Sequence, residues 1–110
     1  MKLYKTILLI LFLSLTLLWA KPVTGTKTIS SAGTADTLVA SSTLALWVDI
    51  QADCDNTNNV LVGFDDSPET GGLELDACES VRFHNVDLVD IYIDVDTSTE
   101  GVHFYYEPAG

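Results

Sequence analysis

Two stretches of alternating oxygen-bearing side chains hold the densest candidate chemistry in this chain. Asp53-x-Asp55-x-Thr57-x-Asn59 and Asp94-x-Asp96-x-Ser98-x-Glu100 each place a carboxylate, hydroxyl or amide at every second position. Hard cations such as calcium collect oxygen ligands from loops of this kind. Asp53, Asp55, Asp94, Asp96 and Glu100 are therefore the candidate Ca²⁺ ligands. Neither stretch is an EF-hand. Asn58 stands where the sharp-turn glycine belongs and Phe64 where the bidentate glutamate belongs, and Thr99 replaces the glycine in the second stretch. Solvated turn residues account for the same pattern.

Cys54 and Cys78 are the only cysteines. An even count in an exported chain reads as one disulfide, and the spacing is neither C-x-x-C nor a zinc pattern. Catalysis finds little support. Asp87 and Asp90 form the kind of carboxylate pair that does acid–base work, but acidic domains contain such pairs by chance. Ser, His and Asp occur without a nucleophile elbow. His84 and His103 fall at alternating strand positions that suit solvent-facing side chains. The chain does not read as an enzyme.

The export reading rests on the first twenty residues. Lys2 and Lys5 precede an apolar run from Ile7 to Leu18, and Trp19-Ala20 then meets Lys21-Pro22. This is a basic region, a short hydrophobic region and a small residue at a cleavage point, so residues 1–20 read as a signal peptide. An uncleaved signal anchor is the competing reading, because Trp19 and Lys21 also suit a membrane interface. Cleavage leaves 110 − 20 = 90 residues for one secreted domain, 21–110. Removing Lys2 and Lys5 takes the formal charge from −11 to −13, with Lys21, Lys27 and Arg82 facing sixteen carboxylates. Nucleic acid is a poor partner for such a surface, and so is an anionic membrane once the signal is gone.

The elements that must position these residues follow a period of two. Val48 and Ile50 alternate with Trp47, Asp49 and Gln51, and the same phase recurs through Val60–Phe64, Val81–His84, Ile91–Val95 and Val102–Tyr106. Turn formers separate the runs: Ala32-Gly33-Thr34, Asp53 to Asn59, Ser67-Pro68 to Gly72, Asp76-Ala77, Asn85 to Asp87, and Thr97 to Gly101. The spacing predicts about eight antiparallel strands near 23–30, 36–40, 44–52, 59–65, 72–75, 79–84, 90–95 and 101–107. The fold class is all-β, a single-domain jelly-roll-like β-sandwich. Leu46, Val48, Ile50, Val62, Phe64, Val81, Phe83, Ile91, Ile93, Val102 and Phe104 are expected to point inward. In a jelly roll the third and sixth strands are antiparallel neighbours, which brings Cys54 at the end of one to Cys78 at the start of the other.

Gly33-Thr34-Ala35, Ile50-Gln51-Ala52-Asp53, Asn59-Val60-Leu61-Val62-Gly63, Leu73-Glu74-Leu75 with Glu79-Ser80-Val81, Asp87 to Asp94 and Gly101 to Tyr106 resemble small β-sandwich proteins among tailed-phage and other viral structural genes. The resemblance covers about residues 24–107 and consists mostly of strand and turn grammar. It implies a non-catalytic assembly role. The export signal and the cysteines depart from it and direct the expectation to an extracellular filament, tube or surface layer.

The partner expected first is therefore another copy of the chain. Residues 21–30 form an extended arm free to add as a strand to a neighbour, with Val23 and Ile29 as contacts; an ordinary first strand is the alternative. Trp47, Tyr92 and Tyr105 fall on the phase opposite the core, and Trp47 and Tyr105 are expected at a subunit contact. The same rings would serve the alternative function, a small secreted carbohydrate-binding or adhesion module with a glycan as ligand.

Overall fold

The computed structural model describes residues 21–110, so the signal-peptide reading of residues 1–20 lies outside the described residues. The described residues are all-β, with eight strands in two four-stranded antiparallel sheets. They are β1 (Val23–Thr28), β2 (Asp36–Thr37), β3 (Leu44–Ala52), β4 (Val60–Gly63), β5 (Leu73–Leu75), β6 (Ser80–Asp87), β7 (Tyr92–Val95) and β8 (Gly101–Pro108). One sheet runs β1-β8-β3-β6 and the other β2-β7-β4-β5. Single 3₁₀ turns, Pro68–Thr70 and Leu88–Asp90, interrupt two connections. Among the described residues no helix is long and apolar enough to cross a membrane.

Alternation builds the core. Val48, Ile50 and Ala52 of β3, Val102 and Phe104 of β8, Val60 and Val62 of β4, and Ile93 and Val95 of β7 are all buried between the sheets. Ile29, Leu38, Leu88 and Ile91 close the core from the connections. Gly25 admits the Phe104 ring, because a Cβ at Gly25 would lie 2.5 Å from that ring. Gly101 lets β8 run against β1, since its Cβ would fall 2.0 Å from the Lys27 carbonyl oxygen.

Four expected core residues depart from the simple alternation. Leu46 is exposed because β3 carries a bulge against β8: Ala45 pairs with Pro108 and Trp47 with Glu107, which leaves Leu46 as the extra residue. The bulge switches the phase, so Ala45 takes the interior in its place. At the same level β6 bends through Asn85, whose φ is +51°. Phe64 is exposed because β4 ends at Gly63; its ring instead meets Phe83 edge-on at 4.9 Å. Val81 and Phe83 face inward but lie on an edge strand, and are only half-buried.

The two open sides of the sandwich are closed differently. On the β1 side Lys27 turns inward and reaches across to Asp36 of β2, Nζ to Oδ2 at 2.6 Å. This bond holds the Asp36 carboxyl below its ordinary value. On the β6 side Phe83 and Phe64 meet across the gap.

Candidate functional site

The ends of β3, β5 and β7 gather most of the residues singled out for chemistry. The third and sixth strands pair antiparallel, Gln51 with Ser80 and Ile50 with Val81. Cys54 and Cys78 are joined as a disulfide, with their Cα atoms 4.3 Å apart. Backbone bonds flank the link, from Ala52 N–H to the Glu79 carbonyl and from Cys78 N–H to the Ala52 carbonyl. Cys78 accommodates the tight approach with a φ of +71°.

Glu100 ties the two acidic loops together. Its Oε2 accepts from the Thr57 N–H at 2.6 Å and the Thr57 hydroxyl at 2.9 Å, and its Oε1 accepts from the Asn58 N–H at 3.3 Å. These bonds, led by the one from the Thr57 backbone, hold the Glu100 carboxyl below its ordinary value. Asn58 Nδ2 donates to the Thr97 hydroxyl, and Asn56 Nδ2 donates to the Gly101 carbonyl. Asp53, Asp55 and Glu100 line one polar cleft of about 380 Å³ together with Thr26, Thr28 and His103. His103 Nε2 lies 3.4 Å from Asp53 Oδ2 there.

The remaining two candidate ligands stand elsewhere. Asp94 is buried, and its Oδ1 accepts from the N–H groups of Gly33 and Val95, which fastens the β1–β2 connection to β7. Asp96 is exposed. Among the described residues no three His, Cys, Asp or Glu side chains gather closely enough to hold an ion.

The outer face of the β1-β8-β3-β6 sheet carries a second cluster. Trp47 and Asp49 of β3 stand beside Glu107 and Tyr105 of β8 and beside His84 and Arg82 of β6. Arg82 Nε and Nη2 both donate to the Asp49 carboxylate, Nη2 at 2.7 Å, while the guanidinium lies 4.5 Å from the centre of the Trp47 ring. Trp47 Nε1 donates to Glu107 Oε2 at 2.8 Å. The Arg82 bonds are the largest cause of a lowered Asp49 carboxyl value, and they raise that of Arg82. Trp47 and Tyr105 meet edge-to-face, with centroids 5.9 Å apart and planes at 87°. They make no flat platform, and Tyr92 belongs to the other sheet.

Two expected contacts of the arm take different places. Residues 23–28 pair with β8 of the same chain, and Ile29 is 3 % exposed in its own core, so the extended segment expected as a free arm serves as the first strand of its own domain. Val23 is exposed at the β1 edge.

Sequence reasoning missed the Arg82–Asp49–Trp47 group and the Lys27–Asp36 pair, because strand register and sheet stacking create both. It named Asp87 only as half of a carboxylate pair with Asp90 and as a turn former, whereas its carboxylate accepts from the Ser42 hydroxyl and the N–H groups of Thr43 and Val89. These bonds, led by that from Ser42, hold its carboxyl below the ordinary value. An acidic residue at the start of a turn was the available signal.

Comparison with protein-family models, curated proteins and solved structures found no match to this chain. Nothing in them links it to the viral sandwich proteins that its strand grammar resembles.

Proposed function

We propose that this chain is an exported, non-catalytic structural subunit, a jelly-roll domain that self-assembles into an extracellular filament, tube or surface layer. The strand order supports the jelly-roll reading: every connection except β4 to β5 crosses between the sheets, as in two interleaved Greek keys. A disulfide in a small all-β domain supports an oxidising, extracellular setting.

One observation carries the assembly reading. The edges of the second sheet are cut short, two residues in β2 and three in β5, whereas the edges of the first sheet run six residues in β1 and eight in β6. Soluble monomers blunt edges by shortening or covering them. Here one sheet follows that rule and the other presents two long strands able to take a neighbour.

Sedimentation and electron microscopy of the protein secreted from the full-length chain, with and without calcium, test the proposal. Polymers of regular width are expected. A protein that stays monomeric at high concentration in both conditions would overturn it. The cleft that contains Asp53, Asp55, Asn56 and His103, rich in polar groups, favours glycan binding as the second reading. Monomers that bind a glycan array, and lose binding with Asp53→Ala, would establish that alternative.

A further inference from the structure

The ladder bonds at the margins of the first sheet show which backbone groups its edges leave open. Ile29 N–H donates to the Glu100 carbonyl at 3.0 Å, in register with the Thr28–Gly101 pair. Antiparallel partners exchange bonds at every second residue. Lys27, Gly25 and Val23 therefore direct their backbone groups to β8, and Thr24, Thr26 and Thr28 direct theirs outward. At the opposite margin Ala52 N–H donates to the Glu79 carbonyl at 2.9 Å, in register with Gln51–Ser80. Val81 and Phe83 thus bond to β3, and Ser80, Arg82 and His84 are open. The middle of the sheet agrees: Asp53 N–H donates to the Gly101 carbonyl, which gives odd-numbered residues of β3 to β8 and even-numbered ones to β6.

Resting on the reading that the chain self-assembles, we infer that β1 of one copy adds antiparallel to β6 of the next, so that the first sheet runs on from copy to copy. Thr24 then stands opposite His84, Thr26 opposite Arg82 and Thr28 opposite Ser80. Direction permits this, because the edge strands of a four-stranded antiparallel sheet run in opposite senses, and a copy displaced without turning over brings them together antiparallel. Facing permits it as well. All six open residues are exposed on the outer face, so the buried face of one copy continues the buried face of the next.

Two further observations choose this contact over β1 on β1 or β6 on β6. The first is apolar exposure. Val23 at the β1 edge is 41 % exposed, while Phe64 and Leu73, on the β5/β6 side, are 55 % and 49 % exposed. Head-to-tail addition brings the first toward the other two. The second is charge. Residues 21–35 carry Lys21 and Lys27 and no carboxylate, whereas residues 76–90 carry Asp76, Glu79, Asp87 and Asp90 against Arg82. The register sets Lys21 opposite Asp87, while like-on-like pairing would set bases against bases or acids against acids. Because the contact is heterologous and its ends do not consume each other, repetition yields an open filament or, if the rotation closes, a ring.

Proline at an outward-facing amide tests this without touching the internal ladder. In secreted protein, Thr26→Pro should block the β1 edge and His84→Pro the β6 edge. Each variant alone should sediment as a monomer, and an equimolar mixture should form a dimer of twice the monomer mass and no larger species. Polymers from both variants, as in the native protein, would overturn the edge contact while leaving self-assembly standing; a native protein that is itself monomeric would remove the underlying reading. Monomeric variants whose mixture does not dimerise would also overturn the proposal. Should a proline variant misfold, a mixture of Thr24→Cys and His84→Cys chains should form a covalent heterodimer on oxidation. Self-crosslinking of each variant without crosslinking of the mixture would reject the head-to-tail contact.

Discussion

Removing the Cys54–Cys78 bond should cost this domain a large share of its stability. The bond joins residues 24 apart and so closes a loop of 25 residues, counting both cysteines. In the chain-entropy relation this restricts the unfolded chain by about 12 cal/mol/K, or roughly 3.5 kcal/mol at 25 °C. A domain of this length typically has about 5–13 kcal/mol in total. The bonds between Ala52 and Glu79 and between Cys78 and Ala52 hold the two strand ends in place without the sulfurs. The Cys54→Ala/Cys78→Ala protein should therefore keep its far-ultraviolet spectrum and lose stability through its unfolded state. Urea unfolding is the assay. With a slope near 1 kcal/mol/M, the midpoint should fall by about 3.5 M. A fall of less than about 1 M at unchanged slope, on the same scale, would refute the reasoning. Reduction of the native protein should reproduce the shift.

Three other outcomes follow from the geometry. Ile50→Ala, at a fully buried site, should cost about 3–4 kcal/mol, and Phe83→Ala roughly half that, because an edge-strand ring leaves a smaller cavity; equal losses in urea unfolding would contradict the placement of β6 at the edge. Gly101→Ala should destabilise by about 3 kcal/mol or more, since a Cβ 2.0 Å from the Lys27 carbonyl oxygen forces β1 away from β8; a melting temperature within a degree of native would disprove the contact. Glu100 has its folded value depressed, so its clasp on Thr57 and Asn58 is fully present above the ordinary value of 4.5 and is lost as pH falls through the lower folded value. The Thr57 amide proton should titrate with a midpoint below 4.5 by NMR, and a midpoint at or above that value would rule out the clasp.

Each of the eight strands overlaps the range that local alternation gives it, and β3 occupies the predicted 44–52, while β2 shortens to Asp36–Thr37 and β6 runs on through the expected turn at Asn85 to Asp87. Period two is a local property of the chain: a residue and its second neighbour share a face whatever the partner strand. The cysteine pair was expected from a count of two and from a strand order in which the third and sixth strands are neighbours, and the β3–β6 pairing brings the two together. The sequence also marked the loops around Asp53 and Glu100 as a place of concentrated oxygen chemistry.

Tertiary structure decided what those elements do to one another. The Leu46 bulge depends on how β3 registers against β8, and no residue type in Leu44-Ala45-Leu46-Trp47 announces it. Phe83 has the hydrophobic phase of a core residue, yet its burial depends on whether a strand follows β6 in the sheet, which none does among the described residues. Asp94 and Glu100 looked alike as loop carboxylates; one is buried on the N–H groups of Gly33 and Val95, and the other spans two loops more than forty positions apart in sequence. Trp47 and Asp49 meet Arg82 only because β3 and β6, far apart in sequence, lie side by side. Side-chain periodicity is written along the chain, while register, edges and the pairing of distant charges are fixed by the sheets as they stack.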